Sequence, residues 1–212
     1  MKTILCYGDS NTWGYIPASN QERHPYHVRW TGLMQSMLGP DCRVIEEGLN
    51  GRTTCFDDPT WPGRNGYASL QGVLDSHFPL DLVIIMLGSN DAKRIFPGQP
   101  YACGRAVELY AKMIRGGGYG PGKGAPEILI VAPILIRPSV VSDSFDPAAS
   151  VAFTRRLGEV YRRYAAAQNV HFFDAAPVTD ADDADGLHMN PQGHRLMAEA
   201  LCGKAREILG LK

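Results

Sequence analysis

The chain has no apolar run long enough to cross a bilayer, no block of like charge and no closely paired cysteines, and each absence removes a class of function. Twenty-one basic residues meet twenty-two acidic ones for a net charge of -1, so neither nucleic acid nor an anionic membrane is an expected partner. The five cysteines (Cys6, Cys42, Cys55, Cys103 and Cys202) are odd in number and scattered, without a C-x-x-C pair. They read as small buried thiols in a reducing compartment, not as a disulfide or zinc framework. The apolar run at residues 3–7 is too short for a signal peptide, and the expected location is the cytoplasm.

Other signatures are missing too. There is no H-E-x-x-H zinc helix, and no G-x-S-x-G nucleophile elbow, which argues against the α/β-hydrolase class. The glycine-rich stretch 116–124 follows Lys123 with Gly124 where a phosphate loop needs Ser or Thr, and it lies after a helical pattern and before a strand, the reverse of the required order. The acidic run Asp180, Asp182, Asp183 and Asp185 hints at calcium. An EF-hand register ending its turn at Gly186 would take in Ala181 and Ala184 and lack the closing glutamate. No metal and no cofactor are expected.

What is present is alternation. Short apolar runs at residues 4–7, 43–45, 82–87, 128–131 and 170–173 read as buried strands. Between them apolar residues recur at helical spacing: Trp30, Leu33, Met34, Met37 and Leu38; Ala106, Leu109, Tyr110, Met113 and Ile114; Phe153, Leu157, Val160, Tyr161 and Tyr164; Leu196, Met197, Ala200, Leu201 and Ile208. Asn190 followed by Pro191 marks the start of the last helix. This order predicts an α/β fold, a parallel sheet covered on both faces in a three-layer sandwich, as one domain over 1–212. Two connections are long, about 47–67 and 133–148, and both leave strands at the carboxyl edge, where open α/β sheets bind ligands.

Polar motifs sit just past the strands. Gly8-Asp9-Ser10-Asn11 follows the first, Gly48-Leu49-Asn50-Gly51 the second and Gly88-Ser89-Asn90-Asp91 the third, while Asp185-Gly186-Leu187-His188 precedes the last helix. A parallel sheet brings the first three to one edge, and the fourth can reach it. Together they supply the parts for acyl transfer. A serine hydroxyl is a weak nucleophile until an imidazole takes its proton, and the imidazole needs a carboxylate to fix its tautomer. Ser10 is the candidate nucleophile, His188 the base and Asp185, three residues earlier, the orienting carboxylate. The N–H groups of Ser10 and Gly51 and the side-chain amide of Asn90 are candidate oxyanion donors.

This set resembles the SGNH (GDSL-type) hydrolase family, whose four hallmark residues match Ser10, Gly51, Asn90 and His188, with Asp185 in the family's D-x-x-H block. The blocks occur in the expected order from residue 8 to residue 188. The resemblance implies a flavodoxin-like sheet of five parallel strands in the order 2-1-3-4-5. Residues 8–14, 29–32, 46–54 and 80–91 are also similar to the bacterial arylesterase subgroup, some of whose members transfer acyl groups to alcohols or peroxide and assemble as octamers. The chain departs from those transferases at Asn11 (apolar there), at Gly51 (alanine there) and in the loop after Pro133. These changes leave esterase chemistry intact and weigh against efficient transfer.

The reading is therefore a serine esterase that hydrolyses small-molecule, short-chain acyl esters through an acyl-Ser10 intermediate. A carbohydrate O-deacetylase on the same triad is the alternative within enzymes, and a catalytically silent binding module the alternative outside them. Asn11, Trp13 and Ile134 are candidate acyl-pocket residues, although Trp13 and Tyr15, as aromatics after a strand, fit a core equally well. Asp9 and Asp91 are expected to hold turns, Arg52 to be solvated or salt-bridged, and His194 to be at the surface or lightly packed. Phe56, Trp61, Ile134, Leu135, Ile136, Val140 and Val141 on the two long loops predict an exposed apolar patch. A homo-oligomer larger than a dimer is expected to bury it.

Overall fold

A computed structural model describes residues 1–211. Five strands, β1 (Lys2–Gly8), β2 (Cys42–Gly48), β3 (Leu82–Met86), β4 (Glu127–Ala132) and β5 (His171–Asp174), form one sheet in the order β2-β1-β3-β4-β5. Every pairing is parallel. All five runs read from the sequence are strands, and the expected α/β/α sandwich with its 2-1-3-4-5 order is found. β3 at the centre is buried along its whole length, which explains its unbroken Leu-Val-Ile-Ile-Met sequence, because a strand covered on both faces has no solvent side.

Six α-helices lie among the described residues: α1 (Ser10–Trp13), α2 (Trp30–Leu38), α3 (Gly66–His77), α4 (Pro100–Gly116), α5 (Pro147–Gln168) and α6 (Pro191–Leu209). Side chains alternate along β1. Leu5 and Tyr7 enter the core beneath α3, α4 and α5, while Ile4 and Cys6 enter the one beneath α2 and α6. Four helix starts carry local caps, with Asp9, Asn65, Asp146 and Asn190 accepting from the N–H groups of Asn11, Ala68, Ala149 and Gly193.

Two helices were not legible in the sequence. α1 is a single turn, and α3 buries only Gly66, Leu70 and Leu74, too few apolar positions to show a period.

The exposed patch expected on the long loops is reduced to two residues. Ile134 packs into the core under α2 and α6, and Ile136 and Val140 into the core on the opposite face. Leu135 and Phe56 are half-buried, leaving Trp61 and Val141 in solvent at 40% and 70% exposure. His194, expected near the surface, is fully buried. Its Nδ1 accepts from the Trp30 N–H at 3.3 Å, and its ring meets that of His24 edge-on at 5.2 Å.

The register levels the ends of three strands. Gly8 pairs with Gly48 on one side and Met86 on the other, so the segments leaving β1, β2 and β3 emerge side by side. Arg52 ties two of them. It is buried, neither solvated nor ion-paired as expected, and its guanidinium donates to the carbonyls of Gly8 and Glu47 while stacking 3.9 Å over the Tyr7 ring. Nearby, the Glu46 carboxylate receives Arg23, Arg29 and Thr31, fastening the start of α2 to the end of β2.

Candidate active site

Ser10 opens α1 directly after β1. The turn is tight enough that a Cβ on Gly8 would run into Thr12, so only glycine fits there. Asp9 caps α1 by accepting the Asn11 N–H at 3.0 Å, the turn-holding role expected of it. Burial raises its carboxyl to about 6, against that bond. Asp91 likewise holds a loop, receiving the Thr54 N–H and hydroxyl and the Cys103 thiol.

His188 comes from the opposite end of the chain. Its Nε2 lies 2.9 Å from Ser10 Oγ, and its Nδ1 lies 2.7 Å from Asp185 Oδ2. The other carboxylate oxygen accepts the N–H groups of Leu187 and His188, at 2.9 and 3.0 Å. Burial pushes the Asp185 carboxyl up, but the bond and charge of His188 and these two N–H groups outweigh it and hold the pKa at about 2. The carboxylate therefore stays ionised down to strongly acidic pH.

The rest of the acidic run braces this loop. Asp182 receives Asn190 Nδ2 at 2.8 Å, and its carbonyl receives the Gly186 N–H. Asp180 and Asp183 both pair with Arg137, whose own N–H donates to the Gly186 carbonyl. The second long loop is thus a support for the histidine loop.

Gly51 and Asn90 complete the constellation. The N–H groups of Ser10 and Gly51 have no hydrogen-bond partner among the described residues. Asn90 Nδ2 donates one hydrogen to the Arg52 carbonyl at 3.1 Å, leaving the second unspent. Gly51 has φ +79, and a Cβ there would sit 2.7 Å from the Trp61 ring, so the position is glycine on both counts. All five residues line one cavity of about 580 Å³, a volume suited to a small ligand.

Of the three candidate acyl-pocket residues, only Asn11 lines this cavity. Ile134 lies in the core beneath, and Trp13 turns away, half-buried, with the Arg23 guanidinium 4.9 Å over its ring. Tyr15 does line it, and its ring stacks on the His188 imidazole at 4.3 Å and 23°. The loop it begins returns to the site, and the Ala18 N–H donates to Asp185 Oδ2 at 3.1 Å. Sequence gave no signal for that contact, since a backbone donor is independent of its side chain. The Asp58–Lys93 pair, 3.0 Å apart, also lines the cavity and was not anticipated. Both residues lie in segments whose pairing depends on the folded loop.

The chain is similar to known esterases in sequence and fold. An aryl esterase from M. smegmatis superimposes with a TM-score of 0.93 at 38% identity, covering 99% of this chain and all of that one. A carbohydrate acetylesterase from Sinorhizobium meliloti gives 0.92 at 36%, covering 98% and 100%. An arylesterase from Vibrio mimicus is 37% identical over 97 residues, a match spanning 44% of this chain and 40% of that relative's length. The GDSL-like lipase/acylhydrolase family model matches residues 6–196, which takes in every block from the first strand to the last helix, and the chain belongs to that family.

Proposed function

We propose that this protein is a serine carboxylic ester hydrolase acting on short-chain acyl esters of small alcohols or phenols, through one catalytic domain over 1–212. The observation that carries the reading is the continuous relay from Asp185 through His188 to Ser10, with both links under 3 Å and opening on one cavity. Ser10 Oγ attacks the acyl carbonyl as His188 Nε2 takes its proton. The oxyanion is received by the Ser10 and Gly51 N–H groups and the free hydrogen of Asn90. His188 then protonates the departing alcohol, leaving acyl-Ser10, and activates water for the second half-reaction. Asp185 keeps the imidazole oriented and stabilises its charged form.

The deciding experiment is Ser10→Ala assayed on p-nitrophenyl esters, together with a fluorophosphonate probe. Turnover should fall by roughly 10⁴ to 10⁶ and labelling should vanish, with the fold intact. Activity within about tenfold of the wild type would overturn the assignment on the same scale. A silent binding module would leave Ser10 unlabelled in the native protein.

A second reading, O-deacetylation of carbohydrates, is favoured by the far lining of the cavity. Trp61, 40% exposed, lines it together with Asp58, Thr60, Lys93, Ser142 and Ser144, a mix of an aromatic ring and hydrogen-bonding groups that suits a sugar. A panel of acetylated xylosides against aryl acetates separates the two. The free thiols suit a reducing, cytoplasmic setting. No helix among the described residues is long and apolar enough to cross a membrane. A homo-oligomer larger than a dimer is supported by exposed Trp61 and Val141 at the cavity, with Ile95 and Tyr101 nearby in sequence to Lys93 and half or more exposed.

A further inference from the structure

Ser10 and His188 are separated by 178 positions, and their 2.9 Å contact has to be maintained between two independent segments. Asp185 orients the imidazole and receives the N–H groups of Leu187 and His188 on its own short loop. The Ala18 N–H and the Arg137 segment brace that loop from outside, but neither is part of the turn that carries Ser10. A tie from the nucleophile turn itself fixes the loop relative to Ser10.

The residue beside the nucleophile does so on both flanks of the histidine. Asn11 Nδ2 donates to the Leu187 carbonyl at 3.1 Å, and Asn11 Oδ1 accepts the Met189 N–H at 3.0 Å. Asn11 is 4% exposed, and its own N–H is fixed by Asp9. One planar amide thus bridges the residues before and after His188 from a backbone rigidly continuous with Ser10. Few side chains can replace it. Aspartate keeps the acceptor and loses the donor, leucine of similar size has neither, and glutamine is a methylene too long.

We propose that Asn11 is a positioning residue that clamps the His188 loop to the nucleophile turn, a role distinct from lining the acyl pocket. The proposal rests on the esterase reading above. A displacement of about 1 Å at reacting groups costs on the order of 10²-fold in rate, so the clamp acts on turnover and not on substrate affinity.

The test compares wild type, Asn11→Leu, Asn11→Asp and Ser10→Ala for kcat and KM on p-nitrophenyl acetate, for the second-order rate of fluorophosphonate labelling and for melting temperature. In Asn11→Leu, kcat and the labelling rate should fall together by roughly 10- to 100-fold while KM stays within about threefold. Asn11→Asp, which keeps one of the two bonds, should fall between leucine and wild type; it decides the matter if the leucine variant does not fold. Turnover and labelling within about twofold of wild type in a folded variant would overturn the clamp, and so would a loss confined to KM, which is the signature of a pocket residue. If Ser10→Ala is inactive while the Asn11 variants are unimpaired, only the clamp fails. If Ser10→Ala is active, the esterase reading itself fails.

Discussion

At the scale of single residues, the site depends on groups whose hydrogen-bonding capacity is partly spent and partly free. Asn90 shows this most clearly, because one amide hydrogen is committed to the Arg52 carbonyl and the other is available to a developing oxyanion. The committed bond holds the amide in place before substrate arrives, which is what makes a donor effective in the transition state. Asn90→Ala should therefore lower kcat by roughly 10² to 10³ with little change in KM, as measured by steady-state hydrolysis of an aryl acetate. An unchanged kcat would remove Asn90 from the oxyanion site. Arg52 acts one step further back, its guanidinium fastening Gly8 and Glu47 while its carbonyl orients Asn90. Its side chain is buried, bonds backbone carbonyls and does not line the cavity, so no clamp on substrate is needed to explain it.

At the scale of elements, α6 carries a polar group into the core. His194 is fully buried against α2, with His24, His188 and Arg29 as its charged or titratable neighbours. Burial first, and then these neighbours, lower its pKa from 6.5 to about 3. A base whose folded pKa lies below its unfolded value binds fewer protons in the native state. Its contribution to stability is intact above about pH 6.5 and is lost progressively as pH falls toward 3. Asp9 has the opposite sign, because its raised pKa makes the native state bind more protons between about 4 and 6. The His194 effect is isolated by difference. His194→Asn can retain an acceptor for the Trp30 N–H, and urea unfolding from pH 7 to pH 4 should show wild type losing stability relative to the variant as pH falls. Parallel pH profiles would refute the assignment.

At the scale of the whole molecule, the two long loops do more for the chain itself than for its surroundings. Ile134, Ile136 and Val140 close the two cores, and the Arg137 segment supports the histidine loop. The remaining exposed apolar side chains, Trp61, Val141, Ile95 and Tyr101, form a smaller basis for association than the loop sequences suggest. If subunits pack there, they narrow the mouth of the cavity that Trp61 and Val141 line. Light scattering at micromolar concentration should then give a mass above that of a dimer. A p-nitrophenyl ester series should show the highest kcat/KM for acetyl or butyryl, and added alcohol should divert a measurable share of the acyl group. A monomer that works best on long-chain esters would contradict both halves.

The sequence by itself determined the layers and the chemistry. The unbroken apolar runs at 4–7, 82–87 and 128–131 read as strands buried on both faces, whereas the edge strands β2 and β5 are only partly buried, and the helical periods between the runs required crossovers and hence a parallel sheet. Once the sheet is parallel, the motifs after β1, β2 and β3 must share an edge, so Ser10, Gly51 and Asn90 were legible as neighbours from their places after strands, and His188 from its spacing to Asp185. Tertiary structure alone decided what each remaining side chain faces. Strand periodicity assigns a face by alternation, but the irregular loops have no period, and so Ile134 could not be told from a pocket residue or Trp13 from a wall of the site. Nor does any local pattern reveal that Asn11 bridges Leu187 and Met189, or that Tyr15 stacks on His188. Those contacts join segments more than 170 positions apart and exist only because the sheet brings the ends of the chain together.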